Sequence, residues 1–163
     1  MASMAVNSEL LRQIEQFLYR EARLADDHDY EAWEALWTPD GVYWIPANGD
    51  DGDPEQVMSI VYDNRSRIAL RVKQLNTGKR HSQNPRSRLR RMISNVELLS
   101  SAEDELHVTA NVCVFESNSR GDMTWASRNE YRLRRIGGEL HMAYKKVALV
   151  NNDKALYSLS FLI

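Results

Sequence analysis

The chain has 163 residues, enough for one domain (1–163) on a single core, and its balance of 43% hydrophobic to 27% charged residues excludes a disordered or fibrous protein. No apolar run approaches the ~20 residues of a membrane span, MASMAVNSELLRQ lacks the apolar centre of a secretory signal, and a lone Cys113 excludes an internal disulfide or a cysteine metal cluster, so the cytoplasm is the expected location. The net charge of −2 hides an asymmetry: residues 1–63 hold 14 acids and 3 bases, residues 64–91 hold 10 bases and no acid, and residues 92–163 are nearly balanced.

From Ser8 to Ala25, the residues Leu10, Leu11, Ile14, Phe17, Leu18, Ala22 and Ala25 recur at spacings of three and four, the stripe of an amphipathic helix. Asn7 or Ser8 is placed to cap it, and Glu9 suits the positive end of its dipole. DYEAWEALW predicts a second, short helix with Asp29 as cap and Tyr30, Trp33, Leu36 and Trp37 on one side; TPDG at 38–41 closes it with turn chemistry. VYWIP reads as a strand stopped by Pro46, and ANGDDGDPE as an exposed acidic loop. Helical spacing returns between Asp63 and Leu75 through Ile68, Ala69 and Val72, and TGKRHSQNPRSR, with no apolar side chain, is expected to form a loop.

Thereafter the period is two. Leu106, Val108, Ala110, Val112 and Val114 share one face, as do Met123, Trp125, Tyr131 and Leu133. With Met92–Leu99 and Leu140–Val150 these make about four consecutive strands joined by the hairpin-like links SAEDE, SNSRGD and IGGE. Helices first and an antiparallel sheet afterwards is an α+β pattern, with helices on one face of a curved sheet.

The chemistry-bearing residues form few patterns. His28, His81, His107 and His141 show no metal-ligand spacing, and His107 and His141 fall opposite Leu106 and Leu140, toward solvent. Cys113 reads as a small buried hydrophobe, and no Gly-rich turn joins a strand to a helix as a phosphate loop requires. DDHD at 26–29 has the composition of an acid/base pair, but equally of a helix end and the cap of the next helix. The ten-base segment has no aromatic side chain to stack on bases, the chain is acidic overall, and no nucleic-acid-binding signature accompanies it. Pairing with protein carboxylates, including those of the chain's own acidic segment in another copy or a partner, fits it better.

Several stretches, in order, resemble the small (beta) subunits of bacterial aromatic-ring-hydroxylating dioxygenases. EARLADDHDYEAWEALWTPDGVYWIP resembles the family's opening helix pair and first strand, and YDNRSRIALRVKQL its middle helix. NPRSRLRRMISNVEL is similar to its P-x-S-R and a strand containing SNV; NEYRLRR and VALVNNDKALYSLSFLI match its last strands and Leu-Ser-Phe tail. The resemblance runs from residue 9 to the C-terminus. It implies the cone-shaped fold of nuclear transport factor 2, ketosteroid isomerase and scytalone dehydratase. It also implies a structural role, with three small subunits beneath three large ones. The large subunit would carry a Rieske [2Fe-2S] cluster and a mononuclear iron, dihydroxylate an aromatic ring, and take electrons from a reductase, often through a ferredoxin. The inventory agrees, since a Rieske centre needs two Cys and two His and an oxygenase iron two His and a carboxylate in one group. This chain is therefore expected to hold no catalytic, cofactor or metal residue, and to bind neither nucleic acid nor membrane.

Arg86, Arg88, Arg90 and Arg91 are expected to form an inter-subunit patch, and Tyr157, Phe161 and Ile163 a tail packed within the domain or against a neighbour. The rival expectation is a stand-alone dehydratase or isomerase using Asp27 with His28 or Tyr43 in an internal pocket. His28 is not a residue the resemblance leads one to expect. An aspartate at the helix end holding a nearby arginine would account for the same stretch structurally.

Overall fold

The computed structural model describes residues 2–78, 85–154, 156 and 159–163, with side chains from residue 8 onward. Helix α1 (Ala2–Asp26) buries Ile14, Phe17, Leu18, Ala22 and Ala25, the stripe read from the sequence. It begins before that stripe, so Asn7 and Ser8 lie inside the helix rather than at its cap. The preceding MASMAV is rich in Ala and Met, among the better helix formers. Helix α2 (Tyr30–Glu34) is capped by Asp29, whose carboxylate accepts from Ala32 N at 3.3 Å.

TPDG does not terminate the chain's local structure there, because strand β1 (Trp37–Pro46) absorbs it. Trp37 pairs with Met142 and Val42 with Tyr144, and the residues between bulge out of register. Gly41 is needed at this point, since a Cβ would stand 2.7 Å from the Trp37 ring. Strand β2 (Ser59–Asp63), which the sequence reading passed over, runs antiparallel to β1 with Tyr43 opposite Asp63. Helix α3 (Arg65–Asn76) is capped by Asn64, which accepts from Arg67 N at 3.0 Å, and buries Ile68, Val72 and Leu75.

Strands β3 (Arg88–Ala102), β4 (Glu105–Asn118), β5 (Gly121–Ile136) and β6 (Glu139–Leu149) form a meander with two-residue turns. Gly137 and Gly138 take φ of 59° and 84°, the left-handed pair whose twist matches a tight hairpin. The sheet order is β2-β1-β6-β5-β4-β3, with β1 and β6 parallel and the other neighbours antiparallel. The register of β3 shifts between Ser94 and Glu97, and Asn95 has φ 53°, so SNV is a β-bulge. Helix α1 packs on β3, and α3 on β1 and β2, leaving the other sheet face uncovered by helices. The inward row of each strand and the helix stripes merge into one apolar cluster that extends to Ile163. This is the expected α+β arrangement of helices on a mainly antiparallel sheet.

Candidate functional site

Inside this cluster the chain places charge. On α1 the stripe of buried positions includes Glu21, and on β6 the inward row that carries Val147 and Leu149 includes Lys145; both are 2% exposed. Lys145 Nζ donates to Glu21 Oε1 at 2.6 Å, and Trp33 Nε1 donates to the same oxygen at 3.0 Å. Burial alone would raise the Glu21 carboxyl, but Lys145 and Arg91 together outweigh it and hold it below its ordinary value. The result is an ionised carboxylate between two cations in a dry interior.

A second pair lies at the end of α1. Asp26 accepts from the backbone N of Arg91 at 2.9 Å through one oxygen and pairs with its guanidinium through the other. The same guanidinium donates to the Leu162 carbonyl, binding the last residues of the chain into the interior. There Phe161 meets Trp125 edge-on with ring centres 5.9 Å apart. Tyr43 completes the closure, because its hydroxyl donates to Ile163 O at 2.6 Å and accepts from Ile163 N at 3.1 Å. Burial pushes that hydroxyl far above an ordinary phenol. On β5, Ser127, Asn129 and Tyr131 form an inward chain of hydrogen bonds at 2.7 and 2.8 Å. These groups are paired among themselves, which locks α1, β3, β6 and the tail in one geometry.

The acid/base constellation of the rival reading does not assemble. Asp27 is exposed, and the aspartate that points inward is its neighbour Asp26. His28 Nε2 lies 2.9 Å from the Ser87 carbonyl and so carries the proton, leaving Nδ1 to accept from the Tyr30 hydroxyl at 2.9 Å. Burial lowers the His28 pKa, the Ser87 carbonyl opposes this, and Arg86 and Arg91 add to the lowering. His28 thus ties the α1–α2 link to the start of β3 as a neutral ring, with its backbone left-handed at φ 59°. The alternative expectation for DDHD, a helix end that holds an arginine, is what Asp26 does.

The arginine row divides. Arg86, Arg88 and Arg90 are exposed, with Arg86 stacked over the Tyr30 ring at 5.4 Å. Arg91 is not part of any surface patch. Alternation along β3 sends it to the covered face with Leu89 and Ile93, and its side chain is 2% exposed. Phe161 is likewise an interior residue, 6% exposed, rather than an anchor for a neighbour, and Ile163 is buried with it. Tyr157 and His81 lie outside the described residues. Cys113 alternates with Val112 and Val114 and so stands half-exposed on the uncovered face rather than in the core. His107 faces that side too, 2.6 Å from Glu130.

Sequence reasoning missed Glu21, Lys145, Ser127 and Asn129. The signal was present: Glu21 falls in phase with Ile14, Phe17, Leu18 and Ala25, and the other three fall in phase with buried strand neighbours. A polar residue on an apolar period marks a buried polar group.

Comparison with known proteins places these features. Residues 20–153 match the model of the family described as "Ring hydroxylating beta subunit". The small oxygenase component of the p-cumate 2,3-dioxygenase system of Pseudomonas putida is 30% identical over 139 residues, 84% of this chain and 77% of that one. The crystal structure of the beta subunit of benzoate 1,2-dioxygenase from Burkholderia mallei superposes with a TM-score of 0.75 at 27% identity, covering 91% of this chain and 95% of that one. An NTF2-like protein from Novosphingobium aromaticivorans shares the fold alone, with a TM-score of 0.62 at 18% identity over 93% of this chain and 90% of that one.

Proposed function

The chain belongs to the ring-hydroxylating beta-subunit family, and from that premise we propose that its work is assembly: it seats and stabilises the large subunit that carries out the dioxygenation. One observation carries this reading. The interior of the cone, where a stand-alone enzyme would hold its substrate, is filled by the chain's own Phe161, Leu162 and Ile163 and by the Glu21–Lys145 and Asp26–Arg91 pairs. An interior packed and paired in this way makes a rigid support for surfaces that meet other chains.

In the proposed complex three small subunits lie beneath three large ones. The large subunit holds the Rieske cluster and the mononuclear iron, receives electrons from a reductase or ferredoxin, and adds dioxygen across an aromatic ring. The small subunit supplies surface. Its exposed Arg86, Arg88 and Arg90 offer guanidinium groups suited to bidentate pairing with carboxylates, as subunit contacts favour.

The test is co-expression with the large subunit encoded beside this chain, whose sequence is expected to contain a CxH…CxxH cluster-binding pair. The two are expected to co-purify, and ring dihydroxylation with the reductase present is expected to fall to background when this chain is omitted. Full activity of the large subunit alone, or turnover of a small carbonyl substrate by this chain alone that is lost in Asp27→Asn, overturns the proposal.

A further inference from the structure

The face of the sheet that no helix covers is apolar in its middle and oppositely charged at its two ends. Met92, Phe115 and Val150 stand on it at 64%, 45% and 76% exposure. Large apolar side chains grouped this way, rather than scattered singly, mark a surface that another macromolecule covers. They line a groove of about 890 Å³ whose far rim is acidic, with Asp50 and Asp51 from the loop after β1 and Asp153 from the turn after β6. That rim is held in shape: Asn48 N donates to Asn152 O at 2.7 Å, and Asn152 Nδ2 donates to Asp50 Oδ1 at 2.7 Å. Arg128 stands on the floor between.

At the near end, alternation on β3 puts Arg88 and Arg90 in the same outward row as Met92. The two ends are continuous, because Phe115 walls both the acidic groove and the smaller hollow that contains Arg88 and Arg90. Among the described residues, Arg88, Arg90, Asp51 and Asp153 make no ion pair within the chain. The opposite case is visible on the same molecule, where Arg134 and Arg132 are paired with Asp40 and Glu105.

We propose that this face docks a second copy of the chain, the Arg88–Arg90 row of one copy meeting the Asp51–Asp153 rim of the other across the apolar floor. A patch that carries both signs at opposite ends of an apolar centre is complementary to itself, so one surface suffices for both partners. A partner of uniform charge would match one end and be repelled by the other. This rests on the small-subunit reading, which it sharpens by saying whose carboxylates the arginines meet.

The test uses the full chain, alone and co-expressed with the large subunit, with mass read by native mass spectrometry and folding by circular dichroism. The wild-type chain is expected to self-associate, and more weakly as salt rises. R88E/R90E and D51R/D153R are each expected to weaken self-association by about tenfold or more. The chain bearing all four reversals is expected to regain the wild-type mass and to refuse wild-type copies. Recovery in that variant separates a matched interface from damage to the fold. A monomeric wild-type chain, full assembly of either double variant, or no recovery in the fourfold variant overturns the proposal. Double variants that still self-associate but release the large subunit assign the face to that subunit and overturn it as well. If wild-type copies associate with each other but never with the large subunit, the small-subunit reading fails while this one stands.

Discussion

Replacing Glu21 by Gln removes one charge from the driest part of the molecule and little else. The amide keeps an oxygen for Trp33 Nε1, now at 3.0 Å from the carboxylate, and the volume is unchanged. What changes is Lys145, 2% exposed, which loses the counter-charge at 2.6 Å and keeps Arg91 as a neighbouring cation. Stripping one partner from a buried ion pair costs about 3–5 kcal/mol, because the remaining charge has neither water nor a partner. For a domain of this size, in which 1 kcal/mol moves the midpoint by about 2–4 °C, this corresponds to a fall of roughly 6–20 °C in Tm.

The control is the pair removed together. Glu21→Gln with Lys145→Met replaces the ions with side chains of similar volume, and such replacements are often close to neutral. Urea unfolding of the wild type, both single variants and the double variant gives the coupling energy directly. The expected result is a double variant more stable than either single one. A Glu21→Gln variant within about 1 kcal/mol of wild type, or a double variant that loses the sum of the two single losses, would show that the pair is not the buried contact described here.

Three further outcomes are expected. Asp26→Asn, which strips the Arg91 guanidinium of its carboxylate, should cost about 3 kcal/mol in urea unfolding, whereas Asp27→Asn on the exposed side should stay within about 0.5 kcal/mol; equal effects would contradict the placement of the two carboxylates. At the β3 bulge, Asn95→Ile forces a β-branched residue into a left-handed backbone and should cost about 1–3 kcal/mol, while Asn95→Gly should leave the Tm nearly unchanged. The folded pKa of His28 lies below the 6.5 of a free imidazole, so as pH falls the unfolded chain takes up that proton first and stability declines below pH 6.5, levelling off beneath the folded value. Urea midpoints for His28→Gln measured over the same range should lack this part of the decline.

Periodicity made most of the elements readable. The stripe of α1, the cap at Asp29, the three hairpin links and the alternation of β4 are local signals, and each appears where the spacing placed it. Three features escaped because their cause is not local. TPDG carries turn chemistry, yet Trp37 and Val42 are both claimed by β6, so the strand runs through it. SIVYD is too short to show a period and becomes a strand by pairing with β1. Arg91 read as one of a surface cluster until alternation, with Leu89 covered, turned it inward. The interior pairs were hidden for another reason, since each charge lies on an otherwise apolar row and its partner is a hundred or more residues away in the chain for Glu21 and Lys145.

The parallel pairing of β1 with β6 also sets an order of events during folding. Strands β3 to β6 are joined by two-residue turns and pair with sequence neighbours, so the meander closes only short loops as it forms. Residue 43 must find residue 145, and until it does β1, β2 and the helices that rest on them have no sheet to join. Such a distant contact pays its chain entropy in a single step and is the slow one. We expect pulsed hydrogen exchange to protect the amides of β4 and β5 before those of β1, with simultaneous protection arguing against this sequence of steps. The strand that closes the cone would then decide how quickly the protein becomes fit to meet its partners.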